Sequence, residues 1–257
     1  MKVPSMQELL EAGVHFGHQV RRWNPKMKGF IFTAREGVHV IDLAQTVSRL
    51  EEACDFIKKI AEAGGTIIFL ASKNQARSII AEEEQRAGAN YITERWIGGL
   101  LTNWEVAGKN IKKLADLKVK KEAGDFKDRT KKENLLIDRE IAKLERFYGG
   151  LAGLEKLPDT LFVVDVRKEE NACREAKKKG IPLVAICDTN ADLFLVDYPI
   201  PGNDDAIKAI KIVTVAIADA YLEGREKFEK KSAKEKVELA GEKAVTKVAE
   251  SQKTDVT

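Results

Sequence analysis

Two hydrophobic rhythms alternate along this chain, and each predicts a different kind of element. Unbroken apolar runs lie at residues 66–71, 160–164 and 182–187, with a shorter strand-like run at 90–93. Between them lie polar stretches of helical character that end at Gly88 and Gly180. Strands buried on both faces read as unbroken apolar runs, so this alternation predicts a parallel sheet covered on both sides. The expected fold class is α/β, doubly wound, with a Rossmann or flavodoxin-like outline. A last long helix is expected after Asp204-Asp205, through Ile207, Ile210, Val213 and Ile217. Ahead of the sheet, Ser5-Met6-Gln7-Glu8 forms a capping box that opens a short helix ending at Gly13. Strand-like runs at 30–32 and 38–41 flank a turn at Arg35-Glu36-Gly37. Asp42 then caps a helix with Val47, Leu50, Cys54, Ile57 and Ile60 on one face, stopped at Gly64-Gly65.

Residues 105–148 interrupt the alternation. Ala107, Ile111 and Leu114, then Ile137, Ile141, Leu144 and Tyr148, step by four and three in a strongly charged background. That spacing is the narrow seam of a coiled-coil hairpin turning near Gly124-Asp125-Phe126. It is expected as an insertion into an α/β body made of residues 1–104 and 149–226. From 227 to 257 the chain is rich in Lys, Glu and Ala without an apolar face, which predicts a frayed helix end and a disordered tail.

Composition changes this picture only in its distribution. A formal net charge of +3 on 257 residues is too mild to demand a polyanionic partner. Cys54, Cys173 and Cys187 are isolated, as reduced thiols in a cytosol would be, and form no zinc-ribbon spacing. No apolar run approaches a membrane span and the first residues do not resemble a signal peptide, so a cytoplasmic protein with no membrane partner is expected. Between Glu11 and Glu36, however, there is no acidic residue, while Arg21, Arg22, Lys26, Lys28 and Arg35 are all present. Gly13, Gly17, Pro25 and Gly29 break any period there, so these cations are expected on a loop, with Trp23 among them. Phosphates call for cations and unstacked bases for flat partners, which makes Arg21, Arg22, Trp23, Lys26 and Lys28 candidate RNA contacts. A solvated loop around a buried Trp is the plainer reading. Arg95-Trp96 repeats the pairing just past a strand end. Lys109, Lys112, Lys113, Lys131 and Lys132 add candidates on the hairpin, with Lys127 near its tip; a solvated helix face would also explain them.

A doubly wound sheet normally holds a ligand at the carboxyl edge of its strands, so a metal- or nucleotide-dependent enzyme is the first alternative. Its fingerprints are missing: there is no G-x-G-x-x-G opening a helix, no phosphate-binding G-x-x-x-x-G-K-[ST] and no G-x-S-x-G elbow. The strand at 66–71 runs into Ser72-Lys73-Asn74-Gln75, without glycines for a pyrophosphate, and neither His15 nor His39 has a nucleophile nearby. Polar residues do collect past the strand ends. His18, Asp188, Asp204 and Asp205 form a candidate ligand set for a single Zn or Mg ion, since gathered acids repel unless a cation or an arginine intervenes. Capping of turns and of the last helix explains Asp188 and Asp204 equally well. A helical-hairpin adaptor for another protein is a third possibility.

Several motifs, taken together and in order, resemble one family. They are His15-Phe16-Gly17-His18-Gln19, Arg22-Trp23-Asn24-Pro25-Lys26-Met27, Ile41-Asp42-Leu43, the run from Glu94-Arg95-Trp96 through Gly98-Gly99 to Thr102-Asn103, Asp188-Thr189-Asn190, and Asp197-Tyr198-Pro199-Ile200-Pro201-Gly202-Asn203-Asp204-Asp205-Ala206. The chain is similar to the bacterial small-subunit ribosomal protein S-two family, from its amino terminus to about Arg225. The resemblance implies a Rossmann-like sheet with a projecting coiled-coil hairpin. It further implies a structural, non-enzymatic component that needs no cofactor and takes no small-molecule substrate. Such a component binds small-subunit ribosomal RNA between head and body near the messenger exit, beside neighbouring ribosomal proteins, and helps recruit the large ribosomal protein S-one. One segment departs from the family pattern: after Asp188-Thr189-Asn190 a cysteine and an Asp-Pro step are usual, and here Ala191-Asp192-Leu193-Phe194 stands instead.

Overall fold

Two sheets of opposite character organise the chain. The computed structural model describes residues 3–126 and 129–254, with side chains described to residue 233 except at Glu84. The amino-terminal unit begins with α1 (Met6–Glu11), where Ser5 and Glu8 complete the expected capping box. A three-stranded antiparallel sheet follows, made of β1 (Phe16–Gln19), β2 (Ile31–Arg35) and β3 (Val38–Ile41), in the order β1-β3-β2. Glu36 and Gly37 both have positive φ, +50° and +78°, the backbone of a tight hairpin turn that suits the strand twist. β1 corrects the expectation of a continuous loop. Its bonds come from β3, through Phe16 opposite Val40 and Gln19 opposite Val38, a pairing that no local periodicity reveals. Two 3-10 turns, Val20–Arg22 and Pro25–Phe30, occupy most of the rest of the basic stretch.

α2 (Leu43–Glu62) starts at Asp42, whose carboxylate accepts the Ala44 N–H at 3.0 Å. The second sheet then forms from β4 (Ile67–Leu70), β5 (Asn90–Ile92), β6 (Thr160–Val164), β7 (Leu183–Cys187) and β8 (Tyr198–Pro201). All neighbours are parallel, in the order β5-β4-β6-β7-β8. Its strands are buried on both sides, and alternate residues feed two separate cores. Ile67, Phe69, Phe162, Val164, Val184 and Ile186 pack with α2, with α3 (Asn74–Ala87) and with the start of α7 (Ile207–Thr254). Ile68, Leu70, Leu161, Val163 and Ala185 pack on the other side with α6 (Glu170–Lys179) and the root of the inserted hairpin. β8 carries two prolines and has no apolar run of the kind that marks the central strands. Pro199 and Pro201 are tolerated because the strand lies at the sheet edge, where a missing N–H costs no ladder bond. The order reverses between β4 and β6, the position where sheets of this kind leave a crevice.

The insertion is a pair of helices, α4 (Trp104–Ala123) and α5 (Lys131–Tyr148). Gly124 ends α4 at φ +82°, and Thr130 with Glu133 forms a capping box opening α5. Cross-links run antiparallel: Asn110 reaches Tyr148 at 3.1 Å, Lys118 reaches Glu145 at 2.6 Å and Lys121 reaches Asp138 at 2.8 Å. Ala107, Ile111, Leu114 and Tyr148 are buried in the same core as Leu70 and Leu161, so the root of the hairpin belongs to the body. α7 crosses α2 closely at Gly224, where a Cβ would lie 2.5 Å from that of Ala61. The backbone of α7 stays helical to Thr254, further than the frayed end expected, in keeping with the helix-forming Lys, Glu and Ala that fill it. Residues 255–257 of the expected tail, and Lys127, lie outside the described residues. Among the described residues no helix is long and apolar enough to cross a membrane. Cys54, Cys173 and Cys187 are buried and unbridged.

Candidate nucleic-acid interface

The basic loop is fastened from below and open above. Asn24 N–H donates to the Thr189 carbonyl at 2.7 Å, and His18 N–H donates to Thr189 Oγ1 at 2.9 Å and to Asp188 Oδ1 at 3.1 Å. Gly17 permits this docking, because a Cβ there would sit 2.6 Å from Thr189 Cγ2. Met27 is fully buried as the loop's apolar anchor. Arg21, Arg22, Lys26 and Lys28 all remain exposed on the outer side. Lys26 also reaches Asp192 at 2.8 Å. Trp23 is half-buried, its ring tilted against His39 at 5.3 Å between centroids, so only part of it faces outward.

The second Arg-Trp pair divides differently. Arg95 is exposed, but Trp96 is only 6 % exposed and belongs to the core beneath the sheet. Its Nε1 donates to Glu175 Oε1 at 3.1 Å. With its ring enclosed and its N–H occupied, Trp96 has no face left for a base, and the expectation that it stacks on RNA is corrected. Glu175 on α6 was not singled out in the sequence. Its carboxylate also accepts the N–H groups of Gly99, Leu101 and Thr102 at 2.8, 3.1 and 3.2 Å, and so shapes the whole 96–102 segment. Burial works to raise its pKa, yet these hydrogen bonds prevail and hold the carboxyl below the ordinary range.

On the hairpin, Lys109, Lys112, Lys113, Lys131 and Lys132 are exposed. Lys113 is not a free cation, since it pairs across to Glu140 as Lys121 does to Asp138. Part of the lysine excess therefore knits the two helices together.

Beneath the loop, the polar residues past the strand ends do converge. His18 Nδ1 lies 3.0 Å from Asp188 Oδ2, and ligand atoms of His18, Asp188 and Asp204 all fall within 4.8 Å of one another. Asp205 is drawn to the same place, 3.5 Å from His18 Nε2. The centre of the cluster is a lysine from the segment that lacks the glycines of a phosphate loop. Lys73, three residues beyond β4, places its Nζ 2.7 Å from Asp204, 2.8 Å from Asp205 and 2.8 Å from Asp165. The cation that gathered acids require is therefore supplied, at least in part, by a lysine. Asp165 follows β6 in a left-handed backbone, φ +69°, so both strands at the reversal point contribute to the cluster. The hydrogen bond between His18 Nδ1 and Asp188 holds His18 above its usual pKa. Burial, with Asp165 and Asp188 nearby, pushes Asp204 up to about 7, against the pull of Lys73. Four carboxylates thus face one ammonium and one imidazole.

Comparison with known proteins bears on these observations. The family described as Ribosomal protein S2 matches residues 9–224. The small ribosomal subunit protein uS2 of Coprothermobacter proteolyticus is 52% identical over 226 residues, covering 88% of this chain and 84% of that protein. The protein of the same name from Rippkaea orientalis is 49% identical over 225 residues, with the same coverage. The match takes in the basic loop, the Glu175-bound segment, the hairpin and the charged cluster, and it leaves the enzyme alternative without support. The chain belongs to the ribosomal protein S2 family, whose members are structural proteins rather than enzymes.

Proposed function

We propose that this chain is a structural constituent of the small ribosomal subunit in the cytoplasm, where it binds small-subunit ribosomal RNA. The observation that carries the reading is the acid-free loop, with Arg21, Arg22, Lys26 and Lys28 exposed and the backbone fastened to Asp188-Thr189. A rigid mount for several outward cations is suited to phosphate contact, where each ion pair releases counterions. Trp23, Arg95, Lys109, Lys112, Lys131 and Lys132 extend the proposed RNA surface, and Lys113 joins it if its pair with Glu140 exchanges. The family resemblance supports a position between head and body near the messenger exit, contact with neighbouring ribosomal proteins and a part in recruiting protein S-one. The heptad-like steps of α4 and α5 support a coiled-coil seam. Stoichiometric copurification with ribosomes, followed by cross-linking of the chain within purified subunits, tests the reading. A chain that sediments apart from ribosomes overturns it.

One observation favours a metal ion as well. The carboxylates of Asp165, Asp188, Asp204 and Asp205 outnumber the cations facing them, and His18, Asp188 and Asp204 offer nitrogen and oxygen donors that suit Zn or Mg. Elemental analysis of the purified protein, with and without Asp188→Ala, is the check. Metal in the wild type alone supports the site; a metal-free wild type whose stability is unchanged by chelator removes it.

A further inference from the structure

Phe194 stands out among the exposed apolar residues because of its company. Phe194 is 68 % exposed and lies in the Ala191-Asp192-Leu193-Phe194 segment that follows β7. Lys177 Nζ, from the last turn of α6, sits 3.3 Å from its centroid, and Lys26 Nζ, from the basic loop, sits 5.3 Å away. The arrangement is built rather than incidental. Asp192 accepts the Phe194 N–H at 3.0 Å and binds Lys26 at 2.8 Å, and Lys177 donates to the Phe194 carbonyl. A short 3-10 turn, Leu193–Leu195, therefore holds a flat apolar ring at the surface, with the Lys177 ammonium close against it, the Lys26 ammonium nearby and most of the residue open to solvent.

We infer that Phe194, with Lys26 and Lys177, forms a nucleotide-binding platform that takes one unpaired base of the RNA. The base stacks on the ring face that Lys177 leaves open, and the flanking phosphates meet the two lysines. Charge decides the occupant. A solvent-facing aromatic alone would suit any apolar partner, but the two cations beside it, only one of them offset by Asp192, favour a partner carrying both a π face and negative charge. The platform continues the basic loop through Lys26, and so rests on the RNA-binding reading proposed above.

The test uses the full chain and small subunits lacking it, with affinity measured across a salt series. Phe194→Ala is expected to bind about tenfold more weakly or worse, with the salt slope unchanged because no charge is lost. Phe194→Trp should restore binding. Lys177→Gln should lower the slope by about one unit. Ultraviolet irradiation of assembled subunits should leave a nucleotide adduct on the peptide containing Phe194. The inference is overturned if Phe194→Ala binds like wild type, or if Phe194→Trp is as weak as Phe194→Ala. It is also overturned if adducts form on the 21–28 loop and none at Phe194, in which case the ring faces protein or solvent. Failure of the wild type to occupy subunits, with no adduct anywhere, would instead bring down the RNA-binding reading itself.

Discussion

Glu175 shows how much one side chain can organise. Five donors converge on its carboxylate: Trp96 Nε1, the N–H groups of Gly99, Leu101 and Thr102, and the Thr102 hydroxyl. Removing it strands these partly buried donors, so Glu175→Ala should cost about 2–3 kcal/mol in chemical denaturation. Its pKa is depressed in the folded state, so its contribution is complete above the unfolded carboxyl value near 4.3 and is lost as pH falls through the folded value. Glu175→Gln should therefore flatten the fall in stability between about pH 5 and pH 3; parallel profiles for the two proteins would refute the assignment. At Gly17, an alanine Cβ would press on Thr189 Cγ2 at 2.6 Å and on the His39 carbonyl at 3.2 Å. Gly17→Ala should lower stability by about 1–3 kcal/mol and raise protease cleavage within the loop at 20–28. Cleavage unchanged from wild type would show that the loop does not depend on that docking. Residues of this kind are the hardest to read from sequence. Asp188, Asp204 and Asp205 were legible because polar residues just past strand ends of a doubly wound sheet share an edge; His18 reaches them from β1 of the other sheet. Lys73 was not legible, because its partner Asp204 lies 131 residues away and the lysine was judged only as a failed phosphate loop.

At the scale of elements, the legible parts were those that announce their own ends. Ser5 and Asp42 cap α1 and α2 with their own side chains, and the unbroken apolar runs became central strands buried on both faces. The missed strands, β1 and β8, owe their structure to distant partners: β1 to β3, and β8 to β7 at the sheet edge. The hairpin was drawn as separate from the body, yet Ile111 and Leu114 lie in the core shared with Leu70 and Leu161. Excising residues 116–136 behind a short linker should therefore leave the melting temperature within a few degrees of wild type. Excising 108–143 removes both buried side chains and should lower stability by at least about 3 kcal/mol. Equal losses for the two deletions would contradict a root that belongs to the body and an outer half that does not.

For the whole molecule, net charge says little and its placement says much. A chain with only +3 overall gathers Asp165, Asp188, Asp204 and Asp205 with Lys73 at the sheet's carboxyl edge, and fastens to that edge a stretch free of acid. The sheet's crevice, a ligand site in related architectures, serves here to mount that stretch through Asp188 and Thr189. Arg21 and Arg22, exposed on that stretch, are the residues proposed to meet RNA phosphates. The most direct test is the affinity of the wild type and of the double variant Arg21→Ala, Arg22→Ala for small subunits lacking this protein, measured over a range of salt. The account predicts weaker binding by the variant, a log affinity against log salt slope shallower by about two units, and a gap that narrows as salt rises. Superimposable lines would contradict it.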